Sequence, residues 1–335
     1  MNKYFFIGFI LLFSTPLFSQ AFKNDSIKLF IDKSIDLIKE NSIHTENLDL
    51  IKHELYNKSK NVNSLNEIPP FYEEVFKLLN DHHGSLTYKD KNYGWVKNSS
   101  TTNFYLKQKI KTEKKVISKV LDKKIGYIRI PGNSDFAFKK VDSISNDIVS
   151  HLNSINSSKI KGWIIDLRLN TGGNMYPILL GLKEFIGTDL VFGGFKNSKD
   201  ELTGEWQIKD GKMQIDGIEL TRTNNLNYPI KENIPVVILI SPYTASAGEM
   251  TTISMIGRKN TYLVGEPTAD YTTAVQGFKI NEYAGLNLST DYVIDRNQEI
   301  YKNNIQPDFK IINGDDVENL KKDKKIIKAL ELLKK

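Results

Sequence analysis

The sequence predicts an α/β protein, and three observations carry that reading. Residues 162–168 are a nearly continuous apolar run that ends in polar residues, followed by the Gly-rich turn Asn170-Thr171-Gly172-Gly173-Asn174. Residues 235–240 are a second such run, again followed by small residues and a helical pattern. Strands buried on both faces read this way, and two strand–turn–helix units in one chain argue for helices laid over a largely parallel sheet.

The chain has 335 residues, more than one ordinary core holds, so two or three structural units are expected. Lys3 precedes an apolar run over 4–13 that continues through Pro16 to Phe18, with Ser19 and Gln20 at the exit. A basic start, a short apolar stretch and a polar exit read as a secretory signal over 1–19. The run falls short of a membrane span of ~20 residues. The expected location is therefore exported: periplasmic, cell-envelope or extracellular. An uncleaved segment would leave peripheral membrane association.

Next comes a helical unit over 20–88. Ile27, Phe30, Ile31, Ser34, Ile35 and Ile38 form one stripe, with Asp25 or Ser26 as cap. A second helix is expected over 45–58 on Leu48, Ile51 and Leu55. Pro69 and Pro70 break the chain, and a third helix over 71–79 delivers Asn80-Asp81-His82-His83-Gly84. From 89 to 335 the core is expected. It holds Lys-rich, β-type alternation over about 100–124, a strand over 126–130 and a helix over 138–153. Helices are also expected over 178–186 and 246–256, and an amphipathic Lys-rich one over 315–335. Residues 188–228 read as an inserted β-hairpin region, and with 100–124 they are the candidate cap.

Composition excludes several chemistries. The sequence has no cysteine, which removes disulfides, thiolate zinc sites and a Cys nucleophile. The formal charge of +6 comes mostly from Lys, and no basic stripe with interleaved aromatics marks a nucleic-acid site. The turn at 170–174 lacks the G-x-x-x-x-G-K-[ST] pattern of a nucleotide loop.

Ser246 lies at the turn from strand 235–240 into a helix, among the small residues Ala245, Ala247 and Gly248. A hydroxyl there suits a nucleophile, because the helix start offers unpaired N–H groups to a developing oxyanion. It equally suits a plain N-cap. Gly172 and Gly173 end the other strand, where they permit close backbone approach and fit either an anion-binding turn or an ordinary one.

Six blocks in order decide between these readings: Asp-His-His-Gly (81–84), Ile-Gly-Tyr-Ile-Arg-Ile (125–130), Asp-Leu-Arg-Leu-Asn-Thr-Gly-Gly (166–173), Thr-Ala-Ser-Ala-Gly-Glu (244–249), Val-Gly-Glu-Pro-Thr (264–268) and Ile-Gln-Pro-Asp (305–308). Together they resemble the tail-specific protease family, which includes carboxy-terminal processing proteases and the tricorn core. The resemblance implies a crotonase-like ββα spiral core with a β-rich cap, and a serine endopeptidase acting on peptides or proteins without a cofactor or metal. It places Ser246 as nucleophile, with the oxyanion hole from Ala247 and from Gly172 or Gly173. Carboxy-terminal processing members use a Lys as base, and Tyr271 stands at that position here. The tricorn-like branch uses a His, which implies His83 as base and His82 as its supporting neighbour. The acid of that branch aligns with Tyr301, and Glu299 lies two residues earlier. With no room for a PDZ module, the layout is most similar to the nisin resistance protein branch. Phe192, Phe195 and Trp206 are the expected lining of a substrate groove. A non-catalytic peptide-binding member of the fold and an acyl-CoA enzyme are the competing readings.

Overall fold

The computed structural model describes residues 22–97 and 103–334; the expected signal segment lies outside the described residues. α1 (Asp25–Asn41) buries the stripe expected of it, with Asn24 as the cap because its side chain accepts the Ser26 N–H. α2 (Leu48–Ser59) buries Ile51 and Leu55. Two 3-10 turns around Pro69 and Pro70 lead into α3 (Tyr72–Leu78). The hairpin of β1 (Ser85–Tyr88) and β2 (Lys91–Tyr93) follows the histidine motif directly.

The next elements are α4 (Phe104–Thr112), β3 (Ile117–Leu121), β4 (Ile125–Arg129), α5 (Val141–Asn153) and β5 (Gly162–Asp166). The alternation expected over 104–112 is instead helical. Leu106 and Ile110 share one face at i,i+4 spacing, and the Asn103 side chain caps the helix by accepting the Leu106 N–H at 3.1 Å. Residues 176–186 split into α6 (Tyr176–Gly181) and α7 (Lys183–Ile186). A meander of β6 (Leu190–Lys196), β7 (Leu202–Lys209), β8 (Lys212–Ile215) and β9 (Ile218–Leu220) occupies the expected hairpin region. β10 (Val236–Ile240), α8 (Ala247–Met255) and β11 (Thr261–Gly265) complete the second strand–turn–helix unit. The chain closes with β12 (Thr273–Lys279), β13 (Ala284–Asp295), β14 (Ile300–Tyr301), β15 (Phe309–Lys310) and α9 (Lys324–Leu332).

These strands make two sheets. The six-stranded sheet runs β15-β11-β10-β5-β4-β3, parallel except for β3. Successive side chains leave opposite faces. Val236, Ile238 and Ile240 therefore join a core with α5, α6 and α8, while Val237 and Leu239 join one with Ile326 and Ala329 of α9. The nine-stranded sheet is antiparallel, in the order β2-β1-β13-β6-β7-β8-β9, with β12 and β14 also paired to β13. The N-terminal helices share their core with Leu86 of β1 and with Leu286 and Leu288 of β13.

Phe192, Phe195 and Trp206 do not line a groove. They are 0%, 9% and 0% exposed and pack on one another inside the larger core. Strict alternation would split Phe192 from Phe195, but β6 shifts register against β7 between Val191 and Gly193, and both rings are buried with Trp206, where burial of large rings stabilises most.

The C-terminal segment is expected to be helical from 315, but α9 begins only at Lys324, where the Asp323 side chain caps it by accepting the Lys325 and Ile326 N–H groups, while Asp315 is held by buried cations. Arg168 bonds Asp166, Asp315 and Asp323 at 2.7 Å each, and Lys325 reaches both Glu266 and Asp315. Both cations are 0% exposed, so Lys325 is an internal charge and not part of a solvated face. Lys325→Met should lower unfolding free energy by about 3–5 kcal/mol, because Glu266 and Asp315 would lose a buried cation. Denaturant unfolding monitored by circular dichroism measures this, and an unchanged midpoint would contradict it.

Candidate active site

Two turns at the C-terminal ends of β5 and β10 are locked against each other. The Ala245 N–H donates to the Asn170 carbonyl at 3.0 Å, Ser241 Oγ to the Arg168 carbonyl at 2.6 Å and Thr244 Oγ1 to the Leu167 carbonyl at 2.9 Å. In open parallel sheets this edge is where ligands bind.

Ser246 stands at the top of the second turn with φ 49° and ψ −113°. A non-glycine residue there carries backbone strain, which persists only where the surroundings hold it. A sharp strained turn that lifts a serine hydroxyl above the sheet is the geometry of a nucleophile elbow. The holding group is Glu249. Its carboxylate accepts the N–H groups of Ser246 (2.9 Å), Tyr271 (2.8 Å) and Asp270 (3.1 Å), and the hydroxyl of Thr268 (2.5 Å). Burial lifts the Glu249 pKa to about 7, and the four donors pull against that rise.

The glycine turn lies against the serine. Gly172 has φ +105°, and a side chain there would meet Ser246 Cβ at 3.0 Å; Gly173 has φ +110°, and a Cβ there would fall 1.9 Å from the Asn133 carbonyl oxygen. Both positions therefore require glycine. The Gly172 N–H donates to Asn170 Oδ1 at 3.1 Å. Among the described residues the N–H groups of Gly173 and Ala247 have no acceptor. Those two are the donors free to meet an oxyanion.

The two histidines form a wall around Tyr271. The Tyr271 ring lies edge-on to His83 at 5.0 Å between centroids and to His82 at 4.9 Å. Because Tyr271 and Ser246 both donate to Glu249, one carboxylate joins the serine turn to the histidine wall. Among the described residues no hydrogen bond links Ser246 Oγ to His83, and such bonds often tighten only when substrate binds. His83 Nδ1 is 2.8 Å from Thr273 Oγ1. Burial, joined by the neighbouring His82 and opposed by Asp81, pushes the His83 pKa down to about 4, so its imidazole is neutral at pH 7. His82 Nε2 is held by the carbonyl oxygen of Asp270, and its ring packs on Trp95 and Tyr271.

The remaining candidates lie apart. Tyr301 donates to Asp295 Oδ2 at 3.1 Å, the Glu299 side chain is exposed, and neither bonds to His83. Burial, then the charges of Glu249 and Asp270, raise the Tyr271 phenol above its ordinary value of 10.0. Glu249 was absent from the residues singled out in the sequence. Its position three residues after a helix-starting serine is a capping-box signal that could have found it. Thr273 had no such signal, since its contact with His83 is purely tertiary.

The sequence pattern of peptidase family S41 matches residues 124–311, more than half of the chain and all of both turns. The chain belongs to peptidase family S41. The nisin-resistance protein of Lactococcus lactis subsp. lactis is 25% identical over 265 residues, covering 78% of this chain and 76% of that protein. The carboxy-terminal processing protease CtpA of Bacillus subtilis (strain 168) is 25% identical over 196 residues, 58% of this chain but 36% of CtpA. A lipoprotein from Streptococcus agalactiae superposes with a TM-score of 0.64 at 23% identity, over 85% of this chain and 92% of that one, which shows a shared fold. The S41 fold is thus present with the mixed α/β content expected, and the substrates of such a family are peptides or proteins. No helix among the described residues is long and apolar enough to cross a membrane.

Proposed function

We propose that this S41 member is an exported serine endopeptidase whose crotonase-like spiral core carries Ser246 as nucleophile and His83 as general base. The observation that carries the reading is the strained backbone of Ser246 at φ 49°, held by Glu249 beside two N–H groups without acceptors. A serine that only capped a helix would sit in ordinary extended backbone.

In this mechanism His83 takes the proton of Ser246 Oγ as the oxygen attacks a peptide carbonyl. The N–H groups of Ala247 and Gly173 hold the tetrahedral oxyanion. His83 then protonates the leaving amine, and water resolves the acyl-enzyme by the same steps in reverse. A neutral imidazole at rest is what the first step requires. No step draws on a metal or organic cofactor.

The proposed substrates are short, unstructured or ring-constrained peptides, and the name of the L. lactis relative makes nisin the first one to try.

The deciding experiment is labelling of the intact protein with a serine-directed fluorophosphonate, located by peptide mapping. Modification of Ser246 supports the enzyme, whereas an unlabelled protein that still binds peptide supports a non-catalytic member of the fold. Tyr271→Phe separates the two candidate bases. It should change kcat/KM less than about threefold, since a phenol raised above its ordinary value stays protonated at neutral pH and is a poor base there. Loss of activity in that variant, with His83→Gln still active, would move the base to Tyr271.

A further inference from the structure

Among the described residues the His83 imidazole bonds no carboxylate directly, yet a charge lies within reach through two hydroxyls. His83 Nδ1 is 2.8 Å from Thr273 Oγ1, Thr273 Oγ1 is 3.1 Å from Ser289 Oγ, and Ser289 Oγ is 2.8 Å from Asp81 Oδ1. We propose that Thr273 and Ser289 form a proton-orienting chain that ends on Asp81 and fixes His83 as the tautomer with its proton on Nδ1. This inference rests on the Ser-His reading for its catalytic meaning.

The direction of the chain follows from counting protons. Besides the Ser289 hydroxyl, the Asp81 carboxylate accepts the N–H groups of His83 (3.1 Å), Gly84 (2.8 Å) and Ser289 (3.1 Å). Backbone N–H groups can only donate, so Asp81 is surrounded by donors. Ser289 has a single hydroxyl proton, and the carboxylate takes it. Ser289 Oγ must then accept from Thr273, and Thr273 Oγ1, its own proton spent, must accept from His83. A proton on Nδ1 leaves the Nε2 lone pair free, and that is the nitrogen a serine would use.

The fold builds the chain deliberately. Asp81 and Ser289 are 1% and 0% exposed, so the terminal charge is shielded from water. Gly84 makes room for the carboxylate, since a Cβ there would sit 2.5 Å from Asp81 Oδ2. β13 carries one extra residue relative to β12, because Ala274 pairs with Asp291 while Val275 pairs with Ser289. Such bulges re-aim side chains, here where Thr273 reaches across to Ser289. In the transition state the imidazolium keeps its Nδ1 proton on Thr273, and the negative charge of Asp81 stabilises it at a distance.

Thr273, Ser289 and Asp81 are positioning residues, and the test reads what they position. In ¹⁵N-labelled intact protein, with the His83 signals assigned by loss in His83→Gln, imidazole nitrogen shifts should show Nδ1 protonated and Nε2 bare at neutral pH. Thr273→Val keeps the branched shape and removes the hydroxyl. It should mix the tautomers and lower kcat by about a hundredfold with KM within about twofold, as a misplaced imidazole proton does elsewhere. Thr273→Ser should recover the tautomer and most of the rate. Ser289→Ala, read the same way, should also mix the tautomers, and it covers the case where the valine variant fails to fold. A wild-type His83 protonated on Nε2, or a folded valine variant with an unchanged tautomer, would overturn the proposal. Because the tautomer is read in the resting protein, it can hold even if peptidase activity and fluorophosphonate labelling are both absent; that result would sink only the Ser-His reading.

Discussion

Ser246→Ala is expected to lower peptide hydrolysis by about four to six orders of magnitude while leaving the protein folded, as loss of the nucleophile does in a unit of this kind. The fold should be nearly indifferent, because the Ser246 N–H held by Glu249 remains and keeps the turn in place. A surface change of that size falls within about 0.5 kcal/mol. The informative companion is Ser246→Gly. At φ 49° a glycine relieves backbone strain, offset by the extra freedom of the unfolded chain. This variant should be as inactive as the alanine one yet unfold at an equal or higher temperature than wild type. Digestion of a peptide library read by mass spectrometry, beside thermal unfolding of each variant, checks both. Wild-type-like cleavage by the alanine variant would remove Ser246 from the mechanism. A glycine variant clearly less stable than the alanine one would mean that the elbow is not strained.

The parts of this protein that could be read from its sequence are those written in one continuous stretch. β5 and β10 are apolar on both faces, so their runs announced themselves without reference to anything distant. The α1 stripe did the same, and the Gly-rich and Ser-Ala-Gly-Glu blocks followed strands as catalytic turns do. What could not be read depends on partners far away in the chain. Lys325 looks like any lysine of an amphipathic helix until Glu266 and Asp315 are folded around it. Trp206 looks like a groove aromatic because alternation names a face without saying which side is wet. The long β13 is central to the larger sheet, but its sequence mixes Asn, Ser, Thr and Asp with apolar residues, and one of those polar positions, Ser289, bonds Asp81 of the histidine motif. A reader of the sequence seeks an acid for His83 among residues such as Glu299, whereas Asp81, two positions before it, is the carboxylate the fold brings to it through Thr273 and Ser289.

Glu249 is where the largest effect outside the reacting groups is expected. Its carboxylate takes three backbone N–H groups and one hydroxyl, and through them ties the serine elbow to the segment that carries Tyr271. Glu249→Ala leaves those donors without acceptors, and each buried polar group so orphaned costs about 1–3 kcal/mol. It should also cost at least about a hundredfold in kcat, since a shift of 1 Å at a reacting group has that effect. Glu249→Gln is the sharper variant. Its amide NH₂ must face N–H groups where an oxygen now accepts, so the elbow loosens, but the group no longer titrates. In the wild type, protonation of Glu249 as pH falls through about 7 forces at least one donor away from the carboxylate. The acid side of the kcat/KM profile should therefore descend in two steps: a partial one near 7 as the elbow relaxes, and a complete one near 4 as His83 gains its proton. In Glu249→Gln the upper step should vanish and the lower remain. Stability runs the other way. The folded pKa of Glu249 lies above its unfolded value of 4.5, so this group's contribution is full below 4.5 and is lost as pH rises through about 7. Persistence of the upper step in the glutamine variant would assign it to a group other than Glu249 and leave the carboxylate as a static anchor only.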